Sequence, residues 1–177
     1  MTRPRRVVFL DRDGVVTVPV DVDGKGYAVR TVADLEFYPD AEDSVRRLRD
    51  AGYDVVIVTN QPDVSTGDLD PATLEAIHDQ VAARLAVTGI RTCPHGEADS
   101  CSCRKPLPGL LTDEARVSPV AFDASWLVGD RDSDISAGLA MGCRTVFIHR
   151  GWTAETGQAA EVMVSTLTEA VDTILSP

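Results

Sequence analysis

Runs of consecutive apolar residues, each closed by polar or acidic side chains, divide this chain into regular segments. Val7-Val8-Phe9-Leu10 is the first, and it ends on Asp11-Arg12-Asp13-Gly14. Val55-Val56-Ile57-Val58 ends on Thr59-Asn60-Gln61, and Ser125-Trp126-Leu127-Val128 ends on Gly129-Asp130. Thr145-Val146-Phe147-Ile148 is the fourth strong run. Such runs predict strands buried on both faces. Ile90-Arg91-Thr92 and Glu161-Val162-Met163-Val164 are expected as shorter strands.

Helical patterns fill the intervals. A helix is expected from Ala41 to Ala51, with Val45 and Leu48 on its apolar face, Asp40 as its cap and Gly52 as its stop. Leu74, Ile77, Val81 and Leu85 recur at helical spacing from Pro71 to about Val87, behind a capping Asp70. His78 lies beside that face and reads as a surface or core histidine. Helices over Leu110 to Val117, Asp132 to Met141 and Leu167 to Leu175 complete the pattern, the last capped by Thr166 or Ser165. Alternating strands and helices argue for an α/β fold, a parallel sheet with helices on both faces. Segments 17–39 and 62–70 are expected as loops. The first is long enough to be functional, with Gly24 and Gly26 for flexibility and Tyr27, Phe37 and Tyr38 as anchors.

Length and charge narrow the class. The 177 residues fit one domain with a sizeable core, and no linker, repeat or low-complexity segment interrupts it. A net charge of -11 argues against nucleic acid or an anionic membrane as partner, so an anionic substrate needs a local cationic pocket. No apolar run is long enough to span a bilayer. The basic start, Met1 to Arg6, leads into an apolar stretch that Asp11 soon interrupts, which is unlike a secretory signal. A cytoplasmic protein, acting as a monomer, is expected.

The strand ends carry the chemistry. Asp11 and Asp13 are spaced i, i+2 and point the same way, with Gly14 turning the backbone after them. Two carboxylates so close repel unless a cation or a shared proton relieves them, and Mg2+ suits oxygen ligands. The competing reading is an acidic Asx-type turn. In a parallel sheet Asp11, Asp13, Thr59, Asn60, Asp130 and Asp134 share one edge, where ligands bind. Thr59 alone could be a strand terminus, and Asp130 a helix cap. Lys105 could reach the same edge. Such a set suits a phosphoryl group: metal and lysine neutralise its oxygens, and Thr59 and backbone amides hold them. An aspartate can act as nucleophile and a second acid can move the proton.

Four segments in this order resemble the haloacid dehalogenase (HAD) superfamily of phosphohydrolases. Asp11-x-Asp13 matches its first motif, Thr59 the second, Lys105 the third, and Gly129-Asp130 with Asp134 the fourth. The resemblance implies a Rossmann-like three-layer sandwich around a parallel sheet. It implies Asp11 as nucleophile, Asp13 as general acid/base, and Mg2+ bound by Asp11, the Asp13 carbonyl and Asp130, with Asp134 in support. Lys105 would stabilise the transferring phosphoryl group, with Asn60 beside it.

Cys93, His95, Cys101 and Cys103 have the spacing C-x-H-x5-C-x-C, a tetrahedral zinc set supplied wholly by protein and therefore structural. Without a secretory signal, metal binding is favoured over disulfides, and Cys143 is expected in the core. A zinc loop running into Arg104-Lys105-Pro106 resembles the capless branch that holds heptose 1,7-bisphosphate 7-phosphatases and histidinol-phosphate phosphatases, which implies no separate cap domain. Gly26-Tyr27, Phe37-Tyr38-Pro39-Asp40 and Arg104-Lys105-Pro106-Leu107-Pro108-Gly109 are similar to the heptose side. The short interval from His95 to Cys101 is of histidinol type. Pro62 and Thr66 depart from the heptose pattern, so contacts to sugar or distal phosphate differ there. The expected substrate is a small sugar phosphate, a heptose bisphosphate cleaved at C7, with Arg104 gripping the phosphate that stays. The zinc loop, 93–103, and the 17–39 segment would wall the cleft. A histidinol-phosphate phosphatase and a non-catalytic domain of the same fold are the other readings.

Overall fold

The computed structural model describes residues 3–23, 25–151 and 155–176. Met1, Thr2 and the loop glycine Gly24 lie outside the described residues. Six parallel strands form the central sheet: β1 (Val7–Leu10), β4 (Asp54–Asn60), β5 (Gly89–Cys93), β6 (Trp126–Gly129), β7 (Arg144–Ile148) and β8 (Val162–Val164), in the order β5-β4-β1-β6-β7-β8. β1 is central, flanked by β4 and β6, so the strand bearing Asp11 and Asp13 has a partner on each side. The remaining two strands, β2 (Val20–Val22) and β3 (Lys25–Tyr27), pair antiparallel apart from the sheet.

Alternation along the buried strands sorts the core into two layers. Val8, Leu10, Val55, Ile57 and Val128 face α1 (Ala41–Asp50), α3 (Pro71–Leu85) and α6 (Leu167–Leu175). Val7, Phe9, Val56, Val58 and Leu127 face α4 (Gly109–Val117) and α5 (Asp132–Ala140). Leu74, Ile77, Val81 and Leu85 are all buried on α3, and the Asp70 carboxylate accepts from Thr73 N at 3.1 Å, as the periodicity and cap signal predict. Cys143 is buried, and burial pushes its thiol up to about 12. Among the described residues no helix is long and apolar enough to cross a membrane.

Five local expectations are corrected. The 17–39 connection is no plain loop, since it carries the β2-β3 hairpin. Within it Phe37 and Tyr38 pack on the core, but Tyr27 stays 45% exposed and is no anchor. The 62–70 segment holds a short helix, α2 (Asp63–Thr66), ended by Gly67 in the left-handed region. Asp40 stands at the N-terminus of α1 without capping it; its Oδ2 accepts from Thr168 N and Oγ1 at 3.0 and 3.2 Å, which binds the start of α6. Tertiary proximity offers Asp40 donors that its own helix does not. Asp130 is no helix cap either, because α5 starts later and Arg131 occupies the N-cap position.

Candidate active site

The carboxyl ends of β1, β4 and β6 open into a cleft of about 1080 Å³ whose lining includes Asp11, Asp13, Thr59, Asn60, Arg104, Lys105 and Asp134. Asp11 leaves the end of β1, and its backbone N–H is held by Val128 O at 3.0 Å. Gly14 adopts φ +94°, and a Cβ there would stand 2.2 Å from Asp130 Oδ2. No other residue type allows both that turn and so close an approach. Gly129 is required by close approach alone, since a Cβ on it would stand 2.2 Å from Asp134 Cβ.

Lys105 ties the floor together. Its Nζ donates to Asp11 Oδ1 at 2.8 Å and Val58 O at 2.6 Å, and pairs with Asp134 Oδ1 at 2.5 Å. Two of its contacts are hydrogen bonds, and the third, to Asp134, is an ion pair between two buried charges. Burial works against the lysine charge, but Asp11 and Asp134 outweigh it and raise the pKa. Burial pushes the Asp11 carboxyl up to about 6 against the opposing pull of Lys105, and Asp134 adds to the rise. Asn60 brackets the Lys105 peptide: Nδ2 donates to Lys105 O at 3.0 Å and Oδ1 accepts from Lys105 N at 3.1 Å.

The carboxylate oxygens of Asp11, Asp130 and Asp134 lie within 4.8 Å of one another. Three buried carboxylates this close repel one another, which a hard divalent cation relieves. The second cluster sits on the cleft wall. Cys93 Sγ lies 3.1 Å from Cys103 Sγ and 3.6 Å from Cys101 Sγ, and His95 Nδ1 lies 3.3 Å from Cys103 Sγ. Ligands placed about 2.0–2.3 Å from one tetrahedral ion stand about 3.3–3.8 Å apart, close to these spacings, and three thiols with one imidazole are a donor set that suits zinc. Arg104 N donates to Cys101 Sγ at 3.4 Å and Arg104 Nη1 to His95 O at 3.2 Å, which joins this loop to the Lys105 peptide.

Comparison with known proteins follows this geometry. A family model described as HAD-hydrolase-like matches residues 102–173. The D-glycero-beta-D-manno-heptose-1,7-bisphosphate 7-phosphatase of Pseudomonas putida is 35% identical over 151 residues, which cover 82% of this chain and 83% of that protein. The protein of the same name from Bordetella bronchiseptica is 36% identical over 163 residues, covering 89% and 85%. The chain belongs to the HAD-like phosphatases. The crystal structure of D,D-heptose 1,7-bisphosphate phosphatase from B. bronchiseptica, complexed with magnesium and phosphate, matches this phosphatase with a TM-score of 0.82 at 33% identity, over 96% of this chain and 98% of that one. Family membership sets aside the reading of a non-catalytic domain.

Four residues of the phosphatase escaped the sequence analysis as site residues. Arg12 is fully buried, and its Nε and Nη2 converge on Asp13 Oδ2 at 3.0 and 2.7 Å. Gln61 is also fully buried, and its Nε2 donates to Asp13 Oδ2 at 3.0 Å and Thr59 Oγ1 at 2.8 Å. Thr17 Oγ1 lies 3.1 Å from Asp13 Oδ1, and His78 Nε2 lies 3.2 Å from Arg12 Nη1. The available signals were an arginine set between two aspartates and a polar residue two places beyond Thr59. Nothing in the spacing of α3 links His78 to Arg12.

Proposed function

We propose that this phosphatase removes the 7-phosphate of D-glycero-D-manno-heptose 1,7-bisphosphate by way of an aspartyl-phosphate on Asp11. The observation that carries the chemistry is the pairing of Asp11 and Asp134 with the buried Lys105, beside Asp130, in a cleft that Asp13 also lines. The substrate follows from the relatives, all named for the β anomer of the heptose bisphosphate. Asp11 attacks phosphorus, the bond to the sugar oxygen breaks, and Asp13 gives that oxygen its proton. Water then attacks the aspartyl-phosphate and yields its proton to Asp13, and phosphate leaves. Lys105 offsets the negative charge of Asp11 and of the phosphoryl oxygens, and Asn60 holds the Lys105 backbone in place. Thr59 holds a phosphoryl oxygen.

Asp11, the Asp13 carbonyl and Asp130 are the residues to hold Mg2+, with Asp134 in support. When bound, the ion supplies Lewis-acid stabilisation of phosphoryl oxygens. Cys93, His95, Cys101 and Cys103 are the residues to hold a structural Zn2+ that fixes the cleft wall. Arg104, facing the cleft from that wall, grips the phosphate that remains on the sugar.

The test is phosphate release with Mg2+ from both anomers of heptose 1,7-bisphosphate, the heptose 7-phosphate, fructose 1,6-bisphosphate and histidinol phosphate. A preference of about two orders of magnitude in kcat/KM for the β bisphosphate, about 2.7 kcal/mol, is expected. Flat activity across the panel, or preference for histidinol phosphate, overturns the substrate assignment and leaves the phosphatase chemistry standing.

A further inference from the structure

Asp13 must meet a leaving oxygen and then a water from one fixed place, yet it lies beyond the end of β1, in the turn that Gly14 opens. Neighbouring residues on a strand point to opposite sides. The turn instead brings Arg12 alongside Asp13, and both the Nε and Nη2 hydrogens reach Asp13 Oδ2. The far end of the same guanidinium, Nη1, reaches across to His78 Nε2 in the middle of α3. We infer that His78, acting through the buried Arg12, positions the Asp13 carboxylate for its acid/base work. This inference rests on the reading of Asp13 as the acid/base.

The chemistry of the contact dictates its polarity. A guanidinium has only donors, so His78 Nε2 must offer a lone pair and the imidazole must be neutral, with its proton on Nδ1. Burial first, then the Arg12 charge, hold the His78 pKa down to about 4, so the lone pair is present at neutral pH. Removal of His78 leaves a buried guanidinium hydrogen with no acceptor, a costly state that turning the guanidinium relieves. Turning it breaks the fork on Asp13 Oδ2, which then keeps only the Gln61 donor. His78 and Arg12 are therefore positioning residues, and the link carries orientation, with no proton passed along it.

Leaving-group dependence separates this role from a merely structural one. A sugar alkoxide needs a proton as it departs, whereas 4-nitrophenolate leaves with little help. kcat/KM covers the steps up to phosphoryl transfer to Asp11, where Asp13 acts as the acid. It is measured for heptose 1,7-bisphosphate and for 4-nitrophenyl phosphate in the wild type, Asp13→Asn, His78→Leu and His78→Gln, each checked for folding by circular dichroism. The expected pattern for His78→Leu is a loss of about 30-fold on the sugar phosphate, part of the ~10²–10⁴ that general acid catalysis supplies, and under about threefold on the aryl phosphate. His78→Gln, whose Oε1 can accept from Arg12, restores most of the loss. If His78→Leu does not fold, His78→Asn, whose shorter amide stops short of Arg12, takes its place.

Equal losses on both substrates, no loss, or no rescue by glutamine overturns the positioning role while Asp13 keeps its place, provided Asp13→Asn shows the leaving-group pattern. If Asp13→Asn lacks that pattern, the acid/base assignment falls and the role of His78 falls with it.

Discussion

The floor of the cleft and its walls are held in different ways. On the floor, Asp11, Thr59, Lys105, Asp130 and Asp134 are each at most 8% exposed, and Lys105 makes two hydrogen bonds and two ion pairs. The walls are the 17–39 connection and the 93–103 loop. Apart from a few anchors such as Val29 and Cys93 they are more exposed than the floor, and they rely on cross-links: the β2-β3 hairpin, the Arg30–Asp63 ion pair at 2.7 Å, and the thiol–imidazole cluster. Buried, unscreened charges make each floor contact energetically large. Exposed pairs at the walls are screened, so the walls tolerate change and can carry specificity.

Substitution on the floor should have the largest effect. Asp11→Asn should lower kcat by about four orders of magnitude or more with the fold intact by circular dichroism, as expected for a nucleophile. Substantial residual turnover would place the nucleophile elsewhere. Lys105→Met leaves Asp11 and Asp134 buried without their cation, and urea unfolding should show a loss of about 3–5 kcal/mol. A loss under 1 kcal/mol would make the floor no different from the walls.

Acidity offers a third comparison. The folded state holds a proton on Asp11 up to about pH 6, whereas the unfolded carboxyl loses it near pH 4. In metal-free protein that proton stabilises the fold at low pH. The contribution is lost as pH rises from about 4 to about 6, at most about 3 kcal/mol. Urea melts across this window in the presence of EDTA should therefore slope downward more steeply for the wild type than for Asp11→Asn. Parallel slopes would show that Asp11 titrates as an ordinary carboxyl.

Wall changes should matter less. Loss of one donor of the thiol–imidazole cluster, as in Cys101→Ser, should lower Tm by about 5–10 °C and expose the 93–103 loop to proteolysis. An unchanged cleavage pattern with zinc removed would deny the ion a structural role. Arg30→Ala removes an ion pair whose arginine side chain is 46% exposed, and thermal unfolding should register under about 1 kcal/mol. Its trace should instead appear as a raised KM for the sugar phosphate, and an unchanged KM would detach this staple from substrate binding.

The sequence by itself determined the four inner strands β1, β4, β6 and β7, because residues buried on both faces must be apolar and such runs are visible without any partner. It also made the Cys93, His95, Cys101 and Cys103 cluster legible, because its four members lie close together along the chain, and it pointed to Asp11, Asp13, Lys105 and Asp130 as cleft residues, because they sit at strand ends or match family motifs. The tertiary structure alone decided the contacts between elements. Asp40 binds the start of α6 at a separation of 128 residues, Gln61 reaches Asp13 over 48, and His78 meets Arg12 over 66. A side chain's hydrogen-bond partner depends on which donors the fold brings within about 3 Å, and periodicity along a single element carries no information about that distance.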